Sequence, residues 1–328
     1  MSEFAFELQL CAHLEREYPL VSRQLGAGVH DPGGRVIDVL CVTEGPRFED
    51  RTRLTPKSIP AGVVEADIGV GEWQRVGTAF DGPPERAHRL AEAGAEAGFL
   101  ERERRGGQTV VRQAARYPND WFGSLVGIEN KPDLGEPGAL ETQLRTDVSL
   151  GVLDEVWLAT ESYVTGAHLN RIPEAVGVWR VDPEGATGGA EPAVTVVREA
   201  TPLETARPGI ELLDEQPGRT EIAVATGREI ERQRRRMAER AYGKGWRTYA
   251  MPSCVNATAG DYAETTGLPY CAFKDRLVDA ASECGPDCPG YELQPAPDVD
   301  HERERARRSA WNQEPEQVAR TQVGLDRF

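Results

Sequence analysis

Lysine is almost missing from this chain of 328 residues: of 38 basic residues, only Lys57, Lys131, Lys244 and Lys274 are lysines. Positive charge as a whole is also short, with 54 acidic residues and a net charge of −16. That balance ordinarily argues against a polyanionic partner. No apolar run is long enough to span a bilayer, which excludes a membrane-embedded helix as an expectation. The opening Met-Ser-Glu-Phe-Ala-Phe-Glu has neither the basic n-region nor the apolar h-region of a signal peptide, so a cytoplasmic protein is expected.

Shortage of lysine beside abundant acid is similar to the makeup of proteins from halophiles, which keep molar salt in the cytoplasm. Screening there extends only about 3 Å, so net charge is a poor guide to partners. Lys131 gains weight from the same fact, since this chain uses arginine for nearly every surface cation. Six cysteines fall into two groups. Cys11 and Cys41 stand in apolar contexts and read as core residues. Cys254, Cys271, Cys284 and Cys288 cluster in the last third, a pattern that in a reducing cytoplasm suggests a metal sooner than disulfides.

The chain is organised around Leu-Val-Gly-Ile-Glu-Asn-Lys-Pro-Asp, residues 125–133. Its apolar start carries a strand signal and Pro132 ends it. Glu129 and Lys131 are two apart, so on a strand both leave the same face. Such a pair can hold a divalent cation and orient a water beside a phosphate, or it can be a solvated ion pair. Upstream, Phe6, Leu10, Cys11 and Leu14 recur at helical spacing, on a helix that also carries Glu7 and Glu15. Glu15 reads as solvated, whereas Glu7 lies at the buried border. Pro32-Gly33-Gly34 makes a turn into residues 35–42, a nearly continuous apolar strand interrupted by Asp38. A buried unpaired carboxylate is prohibitive, so Asp38 needs a turn, an arginine, an outward-facing edge or a metal. Downstream, Leu140, Leu144 and Val148 mark a helix over 138–153 that leads into a strand at 155–160. Strand, helix and strand make a βαβ unit with parallel strands.

Helix with Glu7, strand with Asp38 and later strand with Glu129-x-Lys131 resemble the PD-(D/E)XK nuclease superfamily, especially its archaeal resolvase-like and RecB-like branches. The resemblance implies an α/β, restriction-endonuclease-like core, a central mixed sheet flanked by helices. It implies that Asp38 and Glu129 hold Mg²⁺ or Mn²⁺, that Lys131 helps activate water, and that Glu7 assists. Ile37 replaces the family's proline before the aspartate. The RecB-like branch carries a glutamine on the following helix, often with a tyrosine four residues later; here Gln143 fits and Asp147 departs. The substrate implied is DNA, cleaved by phosphodiester hydrolysis. The competing reading is a non-catalytic nucleic-acid-binding protein on a nuclease-like scaffold.

In this organisation the core comprises residues 1–44 and 120–200, and 45–119 form an insertion too long to lack structure of its own. A helix over 84–97, then two strands joined by Gly106-Gly107, resemble the recognition helix and wing of winged-helix domains. Arg102, Arg104, Arg105 and Arg112 could then lie along phosphates, or pair with Glu101 and Glu103. Residues 170–222 read as strands and loops. A charged helix from Gly227 to Tyr242 carries six arginines, either a phosphate-binding patch or a solvated face. It opens a region, 220–295, that ends with the C-x16-C-x12-C-x3-C series from Cys254 to Cys288. Four thiolates suit zinc or an iron–sulfur cluster, with zinc preferred. Residues 296–328 read as a charged tail.

Overall fold

The computed structural model describes residues 2–66, 68–135, 139–182, 193–262 and 265–308. Helix α1 (Glu3–Leu14) leads into strands β1 (Leu20–Gly26) and β2 (Val36–Glu44). The insertion follows: α2 (Phe48–Thr52), α3 (Ala61–Val64), β3 (Gln74–Arg75), α4 (Val76–Ala79), α5 (Pro84–Glu96), β4 (Leu100–Arg105) and β5 (Gln108–Gln113). The chain returns through β6 (Phe122–Asn130), α6 (Leu140–Leu150), β7 (Glu155–Thr160), α7 (Gly166–Leu169), β8 (Gly177–Asp182) and β9 (Ala193–Arg198). It ends with β10 (Gly209–Gln216), β11 (Arg219–Ala225), α8 (Gly227–Lys244), β12 (Ala257–Tyr262), β13 (Thr265–Cys271), β14 (Arg276–Leu277), α9 (Ala280–Glu283) and α10 (His301–Arg308). Of the charged tail, 309–328 lie outside the described residues, as do residue 138 and residues 183–192 of the expected elements.

Six strands build the central sheet in the order β1-β2-β6-β7-β8-β9. β1, β2 and β6 are antiparallel, β6, β7 and β8 are parallel, and β9 returns antiparallel. Alternation divides the side chains cleanly. Leu125, Val156, Leu158 and Val178 join the apolar layer under α6 and α8. Val126, Ile128, Trp157, Ala159 and Trp179 join the layer under α1. With helices on both faces, the protein is α/β with a central mixed sheet. Among the described residues no helix is long and apolar enough to cross a membrane.

α1 starts where the Ser2 side chain accepts a hydrogen bond from the Ala5 amide, 3.2 Å away, satisfying one of the helix's free donors. Its Leu8, Leu10, Cys11 and Leu14 are buried on the sheet. Glu15, expected in solvent, is instead half-buried with its carboxylate covered. It pairs with the Arg247 guanidinium at 2.6 Å and accepts from the Trp246 indole at 3.0 Å. Nothing local to α1 announces a partner that lies more than 200 residues later.

The 45–119 insertion shares its apolar core with the sheet, since Ala87, Ala91, Phe99 and Val111 belong to the α6/α8 layer. It holds a three-stranded sheet ordered β3-β5-β4. Gly106 and Gly107 turn the β4–β5 hairpin with φ of 55° and 82°, backbone that glycine adopts without steric cost. The hairpin's arginines are largely committed within the chain. Arg112 bonds Glu101 at 2.8 Å, Arg105 bonds Glu103, and both guanidinium groups stack over Trp73.

α8 is a core helix. A capping box between Thr226 and Glu229 starts it, and Ile230, Met237, Ala238, Ala241 and Tyr242 are buried under the sheet. Several of its arginines are structural: Arg234 holds Asp154 at 2.8 Å and Arg236 reaches Glu65 at 3.3 Å. Glu239 clamps the insertion to this helix. Its two oxygens accept from Arg51 (2.7 Å each), the Tyr117 hydroxyl (2.7 Å) and the Ile59 amide (3.1 Å). Arg51 is fully buried, with its other donors on the Thr55 and Lys57 carbonyls. All four lone pairs of the Glu239 carboxylate and four of the five Arg51 N–H groups are used, which is how such a buried pair is tolerated.

Candidate functional site

Four carboxylates gather at the carboxyl end of β6, where the sheet changes from antiparallel to parallel pairing. Strand ends at such a switch are where open α/β sheets place their ligands. Glu129 follows Leu125 and Gly127 onto the α6 side, and Asn130 follows Ile128 onto the α1 side. Consecutive residues therefore look into opposite layers, and the site straddles the sheet.

Asp38 joins them from β2. Arg23 and Val39 are paired across β1 and β2, as are Leu25 and Ile37, but the Gln24–Asp38 rung between them lacks a ladder pairing. Gln24 has a left-handed φ of 53°. Val39 packs under α1 while Ile37 packs on the opposite layer, so the strand twists at Asp38. Freed from the ladder, the Asp38 carboxylate accepts the Asn130 amide at 3.0 Å and the Gln24 side-chain amide at 3.3 Å. Backbone held off its usual region costs about 1–3 kcal/mol and collects at sites.

Glu7 reaches in from α1. It accepts from Arg23, from Gln24 at 2.9 Å and from the Asn130 side chain at 3.1 Å. Asp147 comes from α6, one turn beyond Gln143, on the apolar stripe that holds Leu140 and Leu144. Arg35, just before β2, binds Asp147 through two nitrogens at 2.6 Å each, and Glu129 at 2.6 Å. Gln143 is half-buried and its side chain makes no hydrogen bond among the described residues.

Electrostatics follow from that crowding. Burial pushes the Glu129 carboxyl up to about 8, reinforced by Asp38 and opposed by Arg35. Burial also raises Glu7, against Arg23; Asp38, against the Asn130 amide and Arg35; and Asp147, against Arg35. Four carboxylates meet two guanidinium groups, Arg23 and Arg35, and the Lys244 ammonium also acts on Glu7, so the cluster stays net negative when all are ionised. The Asn130 side-chain oxygen is buried with no partner. Hard oxygen donors carrying a net negative charge fit a divalent cation such as Mg²⁺. Among the described residues no three His, Cys, Asp or Glu side chains already stand as a metal cage; at this end Arg35 is drawn in between Glu129 and Asp147.

One expectation is corrected. Glu129 and Lys131 do not leave one strand face: β6 ends at Asn130, and the Lys131 ammonium turns to Glu3 on α1 while Glu129 faces Arg35. Asp147, which breaks the glutamine–tyrosine pattern, is part of the cluster. A carboxylate on an apolar helical stripe was the available signal for it. Arg35 carried no signal, since its partner lies 112 residues away. A separate cleft of about 550 Å³ opens beside α6, with Glu141, Arg145, Arg171, Glu174 and Arg198 on its walls. It contains none of the four clustered carboxylates.

The four late cysteines are all unpaired thiols, Cys254 and Cys271 buried, Cys284 and Cys288 half-buried. They lie around the small β12–β13–β14 sheet, away from the carboxylates.

The chain matches the Family of unknown function (DUF5787) over residues 20–293. It belongs to that family. The matched stretch includes Arg35, Asp38, Glu129, Asp147 and the four late cysteines, and begins after α1. Neither the curated proteins nor the solved structures gave a match.

Proposed function

We propose that this DUF5787 member hydrolyses phosphodiester bonds of DNA with Mg²⁺ or Mn²⁺, as a PD-(D/E)XK-type nuclease. The observation that carries the reading is the meeting of Asp38 and Glu129 at the end of β6, with Glu7 and Asp147 beside them. The order α1–β1–β2–β6–α6–β7, a sheet of antiparallel then parallel strands between helices, supports a restriction-endonuclease-like core. The insertion's order of α3, β3, α4, α5, β4 and β5, with β5 central, supports a winged-helix-like segment.

In this reading Asp38, Glu129 and the carbonyl end of β6 hold the cation, with Glu7 assisting. A bound Mg²⁺ supplies Lewis-acid stabilisation of the phosphate and a lowered pKa for water. Glu129 releases its proton to solvent on ionising. Lys131 orients the water; its ion pair with the exposed Glu3 is worth little and yields readily to a phosphate. Arg35 holds Glu129 and Asp147 in place. Gln143, one turn before Asp147, offers a free amide toward substrate.

A second reading, non-catalytic nucleic-acid binding on the same scaffold, is favoured by one observation: Arg35 already satisfies Glu129 and Asp147, and Lys131 is engaged by Glu3. Linear, circular and branched DNA incubated with the protein and Mg²⁺ or Mn²⁺ separates the two. Cleavage lost in Lys131→Ala supports the nuclease. DNA retention without cleavage under any of these conditions replaces it with the binding reading.

A further inference from the structure

Beyond the carboxylate site, the region from Cys254 to Leu293 has few apolar residues with which to hold itself together. Among its described residues the buried aliphatic side chains are Ala257, Leu268, Pro269, Leu277 and Val278. A unit that small normally needs a staple. Yet the chain keeps tight, specific turns here.

Those turns bring four thiols to one end of the small sheet. Cys254 precedes β12 and bridges to Leu293, while the Val255 amide donates to the Glu292 carbonyl at 2.8 Å. The Cys254 thiol lies 3.7 Å from the Gly290 carbonyl, which also accepts from Asn256 at 2.7 Å. That carbonyl is two residues from Cys288, itself fixed by its amide's bond to Gly285 at 3.0 Å. Cys271 closes β13 opposite Ala257 on one side and Arg276 on the other. Arg276 binds Glu283, the neighbour of Cys284, which ties the end of β13 to the end of α9. Two joints thus gather the thiols in pairs: Gly290 sets Cys254 beside the turn carrying Cys288, and the Arg276–Glu283 pair sets the end of β13 beside Cys284.

We propose that Cys254, Cys271, Cys284 and Cys288 together bind one structural Zn²⁺. Each thiol releases its proton to solvent as its sulfur takes the metal, giving a closed tetrahedral site. The four thiols do not yet stand as a metal cage among the described residues, so the ion would draw them the remaining distance together. A single ion suits the fit better than an iron–sulfur cluster: a Cβ built on Gly290 would lie 2.4 Å from the Phe273 ring, so the turn carrying Cys288 is already pressed down. The ion would cross-link the entry to β12, the exit of β13 and the turn after α9. Leu268 and Leu277 of this unit pack in the α1 layer, so the staple also backs the helix that carries Glu7.

The test is metal content, independent of any nuclease activity. Full-length protein purified without chelators should contain about one zinc per chain. Cys284→Ser/Cys288→Ser should lose it, while Cys41→Ala, in the core, should keep it. If the double variant fails to fold, titration of the folded wild type with an organomercurial should release one zinc as four thiols react. Absence of zinc, iron with visible charge-transfer absorbance, or zinc retained in the double variant would each overturn the proposal.

Discussion

The carboxylate cluster predicts an unusual dependence of stability on pH. Glu129 has a folded pKa of about 8 against an ordinary 4.5. The folded chain therefore binds this proton more tightly than the unfolded chain. Stability from it is fully present below 4.5 and is lost as pH rises through about 8. At about 1.4 kcal/mol per pH unit, that interval corresponds to about 4–5 kcal/mol. Glu7, Asp38 and Asp147 are raised as well, so their contributions fall in the same direction. Urea unfolding of metal-free protein in EDTA, from acid to alkaline pH, measures this. The wild type should weaken steadily between 4.5 and 8, and Glu129→Gln should remove most of that slope. An amide at 129 still accepts from Arg35 but has no proton to lose. Parallel profiles for the two proteins would refute the claim that Glu129 resists ionisation. Glu283 provides an internal control: held at about 2 chiefly by Arg276, its contribution is present above 4.5 and lost toward 2.

Other outcomes follow from named contacts. Glu239→Ala leaves Arg51 buried without its partner and should cost about 3–5 kcal/mol, read as a lower urea midpoint at unchanged slope. Calorimetric titration of Mn²⁺ near pH 7, in buffers of different ionisation enthalpy, should detect proton release that disappears in Glu129→Gln, because the cation displaces the proton held there. Arg35→Met removes the cation nearest the cluster and should tighten Mn²⁺ binding by about tenfold or more, about 1.4 kcal/mol. Unchanged affinity would mean that Arg35 and the metal do not share Glu129.

How far the sequence could be read depends on the range of the interaction concerned. Helical spacing in α1, the apolar run of β6 and the βαβ step to β7 are local patterns, and each appears where the periodicity places it. Asp38 as a carboxylate needing partners was legible for the same reason, since its neighbours are apolar. Partners were not. Glu15 read as solvated because nothing near it names Arg247, and α8 read as a phosphate-binding patch or a solvated face because its sequence does not disclose the sheet it covers. The twist at Gln24 and Asp38, and the early end of β6, decide which way Lys131 and Glu129 turn. Those are consequences of pairing between strands, and a strict alternation of two cannot anticipate them. Asp147 lay in view on an apolar stripe, but only Arg35 explains why it is there.

The central claim is that Asp38 and Glu129 form the cation site of a DNA phosphodiesterase. Its most direct test is the cleavage rate of an end-labelled duplex across a Mn²⁺ titration, wild type beside Asp38→Ala at matched folded fraction. A cation worth several kcal/mol to the reaction predicts metal-dependent cleavage that falls by about a thousandfold in the variant. Equal rates in the two proteins, or no cleavage by the wild type at any metal concentration, would contradict it.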